Sequence, residues 1–248
     1  MQKDFITATP DSGGSGSTTV TATAPANQTE SARSTSLSVA GGGMTRTVGA
    51  SQAAGVVTWN YYFSVTPTSL SFVAGGESKS VTVTSYRKKV INGVETSTQE
   101  NVNYTVSVTG TGFSGSGTTV TAAANSATST RTGTATYTQA TSGKSQGVSL
   151  SQAAAAVIFK TSLLNNHLNI LRDQADFQVK SNSNGRKLPI TVTPDSSMFT
   201  TDVGEGFDDY DYTVSVIVVT PWVGSKSLSI KQSETNDTIR VILNRTGL

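Results

Sequence analysis

The sequence predicts an all-β chain of tandem sandwiches, on three observations. Ser and Thr together make up about 30% of the residues, well above usual, and Thr, being β-branched, suits a half-buried pleated strand. Val, Ile, Leu and aromatic residues recur at alternating positions, the period of a strand rather than of a helix. The block Thr18-Thr19-Val20-Thr21-Ala22 returns one hundred residues later as Thr118-Thr119-Val120-Thr121-Ala122, which points to one structural unit used twice.

The strand signals are clearest between residues 57 and 156. They run "VVTWNYYFSV", "SLSFVA", "SKSVTVTSYRKKV", "VNYTVSVTG", "TTVTAAA", "RTGTATYTQ" and "QGVSLSQAAAAV". Gly75-Gly76, Asn92-Gly93 and the Gly115/Gly117 segment separate them, because Gly and Asn-Gly supply the positive φ of tight turns. Seven short strands in about a hundred residues have the size and rhythm of an immunoglobulin-like sandwich. With no cysteine in the chain, its core is expected to rest on Trp59, Phe63, Phe72, Tyr104, Tyr137 and the Val/Leu set. In the first of these strands Trp59, Tyr61 and Phe63 share one face and are expected in that core. Tyr62 then points outward as a lone aromatic, a candidate glycan contact but too little by itself for a carbohydrate site.

The repeat extends beyond its Thr-rich block. Asn27 and Arg33 stand six apart, as do Asn125 and Arg131, and Ser51-Gln52 returns as Ser151-Gln152. Asn shaping a turn and Arg bridging carbonyls or covering an apolar edge give these residues structural roles. The first copy holds only the equivalent of residues 101–156, so it is expected to leave a sheet edge and an apolar face open for a partner. The third copy is more divergent. Tyr104-Thr105-Val106-Ser107-Val108 recurs as Tyr212-Thr213-Val214-Ser215-Val216, Leu70 matches Leu168, and Phe72 matches Ile170. "SLSIKQ" (Ser227 to Gln232) matches "VSLSQ" (Val148 to Gln152). Although Leu164, Leu168 and Leu171 fall at helical spacing, this register favours strands there over a short helical turn. The organisation expected is therefore three tandem sandwiches, residues 1–56 (incomplete), 57–156 and 157–248.

Composition and motifs narrow the chemistry. Without cysteine there is neither a disulfide framework nor a thiolate metal site. No segment approaches the ~20 apolar residues of a membrane span, and "MQKDFITATP" lacks the pattern of a secretory signal, so a soluble chain made in a bacterial cytoplasm is expected. The net charge is +2, and neither Arg87-Lys88-Lys89 nor the acidic C-terminal third forms a stripe that argues for nucleic acid. His167, the one histidine, has no supporting triad motif, and no catalytic residue or cofactor is expected. "GTGFSG" (Gly110 to Gly115) precedes a Thr-rich strand rather than a helix, so it offers phosphate no helix N-terminus. The oxygen-rich run Asp202, Glu205, Asp208, Asp209 and Asp211 is a candidate calcium loop, although its spacing differs from that of an EF-hand; the alternative is a solvated turn.

Gly115, Gly117, Thr119, Val120, Asn125, Arg131, Gly133 and Gln152, with Asn27, Arg33 and Gln52 in the first copy, form a pattern that resembles the BACON family of immunoglobulin-like domains from Bacteroidetes and their phages. The resemblance covers the second copy well and the first in part. It implies an association with carbohydrate, since many members are attached to surface glycan-degrading proteins. The chain shows neither an attached enzyme nor a lipid-anchoring cysteine. The combination is similar to the decoration (auxiliary capsid) proteins of crAss-like phages. The expected function is thus a non-enzymatic virion protein on the capsid surface, whose partners are the major capsid protein or other virion proteins, with glycans as outward ligands. The alternatives are a glycan- or mucin-binding adhesin module of a phage fibre and a spacer in a bacterial surface protein.

Overall fold

A computed structural model describes residues 2–246, and they form an all-β fold of immunoglobulin-like sandwich type. In the first stretch lie β1 (Gln2–Lys3), β2 (Ile6–Thr9), β3 (Thr21–Thr23), β4 (Arg33–Gly41) and β5 (Met44–Gln52). The middle stretch holds β6 (Val57–Thr66), β7 (Ser69–Phe72), β8 (Glu77–Ser80), β9 (Thr82–Ile91), β10 (Val94–Asn101), β11 (Tyr104–Thr109), β12 (Phe113–Ser116), β13 (Thr119–Ala122), β14 (Arg131–Gln139) and β15 (Ser145–Gln152). The last stretch holds β16 (Val157–Thr161), a 3₁₀ turn at Leu164–Asn166, β17 (His167–Asn169), β18 (Gln174–Ser183), β19 (Arg186–Lys187), β20 (Ile190–Pro194), β21 (Phe199–Glu205), β22 (Tyr212–Val218), β23 (Gly224–Gln232) and β24 (Thr238–Arg245).

These strands fold into two compact units. One takes the chain up to Ser64 together with Val83–Thr105 and Thr138–Ser145; the other takes Val65–Thr82, Val106–Tyr137 and the chain from Gln146 onward. Within the second unit, the last stretch is a sandwich of two sheets, ordered β16-β18-β22-β21 and β17-β24-β23-β20. Alternation puts Phe177, Val179, Val214 and Val216 of one sheet and Leu228, Ile230, Val241 and Leu243 of the other into a single core, all nearly inaccessible. The sheet β7-β15-β14-β11 repeats the order β17-β24-β23-β20, and in both the short outer strand runs parallel to its neighbour. Leu70 and Phe72 on β7, like Leu168 on β17 and Ile170 just beyond it, are buried, which agrees with the matching read from the sequence.

Two other matches do not survive the topology. The two "YTVSV" segments occupy different sheets: β11 lies beside β14, whereas β22 lies between β18 and β21. "SLSIKQ" belongs to β23, the counterpart of β14, and not to β24, the counterpart of β15. Any half-buried strand accepts an alternation of Thr, Ser and Val, so short identical segments arise at non-equivalent places. The buried glutamines show the true equivalence. Gln139 N bonds to Lys144 O at 2.8 Å and Gln232 N to Asp237 O at 2.9 Å, each opening a turn into the following strand.

The Thr-rich echo is also displaced. Its second occurrence forms β13, paired with β12, while Thr18, Thr19 and Val20 lie outside any strand, and β3 begins only at Thr21. The partner of β3 is β2, five residues further back along the chain than the repeat suggested (Thr7 opposite Thr23, Thr9 opposite Thr21). The physical reason is an anchor: β12 is held by Phe113, whose ring lies 5.7 Å from that of Phe72, whereas the run at 12–17 is Ser and Gly only. In the first stretch Ile6 and Ala8, both buried, supply the apolar positions instead.

The core expectation holds for Phe72 and Tyr137, which are buried, and fails for Trp59, Phe63 and Tyr104, which are half-buried. Trp59 is on β6, in the sheet β10-β9-β6, and what covers its ring is cationic: the Arg87 guanidinium sits 4.0 Å above it and the Lys89 ammonium 5.6 Å.

Candidate binding site

The repeated Asn, Arg and Gln residues build one hydrogen-bonded clasp twice. Asn27 Nδ2 donates to Ser31 O (2.8 Å) and Ala53 O (2.9 Å), and its Oδ1 accepts from Thr29 N (3.1 Å). Asn125 repeats this with Ser129 O (3.0 Å), Ala153 O (2.9 Å) and Ala127 N (3.1 Å). A side-chain amide, with two donors and an acceptor on one planar group, can close such a loop, and both residues are buried. Alongside, Arg33 and Gln52 both donate to Pro25 O (2.9 and 3.0 Å), as Arg131 and Gln152 do to Ala123 O (2.9 and 2.8 Å). Arg33 Nε also donates to Gln52 Oε1 at 2.8 Å, while the corresponding Arg131 Nε and Gln152 Oε1 are buried without a hydrogen-bond partner.

Each clasp receives a turn from further along the chain, a feature the sequence did not disclose. Asn92 and Gly93 (φ 46° and 83°) make the tight turn between β9 and β10, in the conformation Asn-Gly favours. Asn92 Nδ2 donates to Asn27 O (2.8 Å), and its Oδ1 accepts from Val56 N (3.0 Å). Asn184 and Gly185 (φ 48° and 81°) repeat that turn between β18 and β19. There Asn184 Nδ2 lies 3.4 Å from Asn125 O, and the firmer contacts come from Arg186, whose Nε donates to Ser126 O (3.0 Å) and whose fork grips Glu234 (2.7 and 2.8 Å).

Tyr62 is not a lone aromatic. Its ring, 36% exposed, stacks on Tyr86 from β9 with centroids 4.8 Å apart and planes 13° from parallel. Its hydroxyl donates to Glu95 Oε2 (2.6 Å), which also accepts from Asn60 Nδ2 (3.1 Å), and Lys88 Nζ lies 3.1 Å from Glu95 Oε1. The hydrogen bond from Tyr62, then those from Asn60 and Lys88, hold the Glu95 carboxyl down to about 2. That same bond is the main cause that raises the Tyr62 phenol above its ordinary value. From behind, the buried Gln139 fixes this part of β6 by donating to Tyr62 O (3.1 Å) and Ser85 Oγ (3.0 Å). A cleft of about 540 Å³ lies alongside, lined by Ser85, Tyr86, Asn101, Asn103 and Tyr104 among others. The partners of Tyr62 come from β9 and β10, more than twenty residues further on, so the alternation within β6 gave no sign of them.

The acidic run does not converge. Asp202 Oδ1 accepts from Val203 N (3.0 Å), Glu205 pairs with Lys187 (2.6 Å), and Asp209 pairs with Lys180. Asp211 Oδ2 accepts from Ser181 N (2.7 Å) and Asn182 Nδ2 (3.1 Å), and Asp208 occupies a left-handed turn position at φ 56°. Among the described residues no three His, Cys, Asp or Glu side chains gather as a metal would require. His167 is exposed on β17, with Nδ1 3.2 Å from Asn244 Nδ2. Among the described residues no helix is long and apolar enough to cross a membrane.

Fold and clasp together define a repeat protein of immunoglobulin-like sandwiches. A family model described as "BACON: Putative binding domain, N-terminal" matches residues 2–53, which contain the first clasp. No curated protein matches. Solved structures are distantly similar. Domains 4 and 5 of the S-layer protein SbsC are 18% identical, over 58% of this chain and 77% of that one, at a TM-score of 0.32. The titin domains z1z2 in complex with telethonin are 12% identical, over 77% and 96%, at 0.34. An endo-fucoidan hydrolase of glycoside hydrolase family 107 is 11% identical, over all of this chain and 38% of that one, at 0.28.

Proposed function

We propose that this chain is a non-enzymatic structural protein that decorates and reinforces a phage capsid, docking through its first copy and turning later modules outward, where glycans are within reach. The observation that carries this reading is what the buried polar side chains do. Asn27, Asn125, Gln139 and Gln152 all bind main-chain groups within the repeated framework, so the polar chemistry of the interior holds loops in place. The "binding domain" description of the family matched at residues 2–53 supports attachment through that end. Weak contacts through each copy multiply when many copies meet a lattice, so no single large interface is needed. The test is incorporation: deleting residues 1–56 is expected to remove the chain from assembled particles, and unchanged incorporation contradicts the docking role.

One observation favours a second reading, a glycan- or mucin-binding adhesin module. The Tyr62–Tyr86 stack, flanked by Glu95, Lys88 and Asn60, combines an aromatic surface with polar groups beside a cleft. Glycan-array binding that disappears in Tyr62→Ala supports this reading; binding unaffected by that substitution removes the site from it.

A further inference from the structure

We infer that the first copy is a strand acceptor: the free edge of β5 takes an extended segment of a second polypeptide, with large apolar residues two apart and a carboxylate five residues before the first of them. This rests on the reading of the first copy as the docking module and adds what it docks.

The second copy is the template. Its β14 and β15 bury Ala135, Tyr137, Val148 and Leu150 at 0, 0, 0 and 2% exposure. The clasp residues set the equivalence of the two copies, which places Leu37, Val39, Val48 and Ala50 at those positions. In the first copy Val39 is 57% exposed and Val48 56%, with Met44 at 66% on the same ribbon. Yet the ribbon is fully formed, paired without a break from Arg33 opposite Gln52 to Gly41 opposite Met44, and the clasp at its base is closed. Leu37 and Ala50 are half-buried, so the acceptor is built but only partly covered: among the described residues, neither outer edge of β4 and β5 is paired.

The second copy also shows which edge is used and what fits it. There β7 runs parallel to β15, Leu70 opposite Leu150 and Phe72 opposite Gln152. On the other edge β11 approaches β14 so closely that a Cβ at Gly133 would overlap Thr109 O. The first copy has Thr35 at the position of Gly133, and its hydroxyl donates to Asp4 Oδ2 (2.7 Å), so a strand cannot sit on β4 as closely as β11 sits on β14, and the edge of β5 is the one assigned. The carboxylate follows from charge. In the second copy Gln146 clasps the backbone of Val65, accepting from its N and donating to its O at 2.9 Å each, five residues before Leu70. Arg46 stands at the position of Gln146. Its guanidinium donates only, so it cannot accept from a backbone N–H as Gln146 does, and a carboxylate is the acceptor it binds most strongly at that place.

The probe is a peptide of residues 64–73 carrying Val65→Asp, added to the full chain and followed by hydrogen exchange and titration calorimetry. Expected are protection of the amides at 49–52, loss of binding when the peptide also carries Leu70→Ser and Phe72→Ser, and about tenfold weaker binding to the Arg46→Ala chain, the size of one charge-assisted contact. Protection confined to 149–152, no protection at all, or a dimer in which 49–52 are already protected without peptide overturns the proposal. Peptide binding needs no capsid, so failure here leaves the capsid reading standing, and peptide binding without incorporation contradicts only the capsid reading.

Discussion

At the scale of single residues, the fold depends on amides that hold backbone rather than on charge. Asn125, 1% exposed, satisfies two carbonyls and one N–H. Asn125→Ala is expected to cost about 2–3 kcal/mol, because buried groups left unpaired bear their full desolvation penalty. Asn125→Asp is expected to give no rescue, since a carboxylate cannot donate to Ser129 O and Ala153 O; calorimetric melting of the three proteins checks both. A second prediction concerns Glu95. Its folded carboxyl lies at about 2 against an ordinary 4.5, so its contacts with Tyr62, Asn60 and Lys88 stabilise the fold above 4.5 and are lost as pH falls toward 2. The group is exposed, so the effect on global stability is small. An NMR titration of the Glu95 carboxyl is expected to give its midpoint near 2, moving up toward 4.5 in Tyr62→Phe; a midpoint at the ordinary value in the unmodified protein contradicts the geometry.

At the scale of elements, the turns and close strand pairs decide what tolerates change. The β9–β10 turn reaches the first clasp through Asn92, and Asn92→Ala is expected to cost about 1–2 kcal/mol and to speed exchange of the Val56 amide. Exchange rates unchanged at Val56 would mean the turn merely rests there. Gly133→Val, against the β11 backbone, is expected to cost about 2–3 kcal/mol by overpacking, whereas Thr35→Val gives up only the exposed bond to Asp4 and is expected to cost under about 1 kcal/mol. Equal losses from the two would contradict the open edge of β4. Alternation, Asn-Gly turns and the Asn/Arg/Gln clasp were legible in the sequence because each is local or set by a short repeat. Strand equivalence in the last stretch was legible at β17, through Leu168 and Ile170, but not at β22 or β23, since "YTVSV" satisfies β11 and β22 alike and only sheet order separates them. The surroundings of Tyr62 escaped for a related reason, as cross-strand pairing brings in Tyr86 and Glu95.

At the scale of the whole molecule, the polar residues singled out by repetition bind main-chain groups, and the two proposals rest on two surfaces: the open ribbon of the first copy and the Tyr62–Tyr86 stack. A decoration protein needs the first for attachment and has use for the second only outward; an adhesin needs the second above all. The two readings therefore differ in where the chain is found. Gold-labelled antibody against the chain, applied to intact particles from the source that encodes it and imaged by electron microscopy, is the most direct measurement. The account predicts label distributed over the capsid shell. Label restricted to tail fibres, or carried on bacterial surfaces and absent from particles, would contradict it.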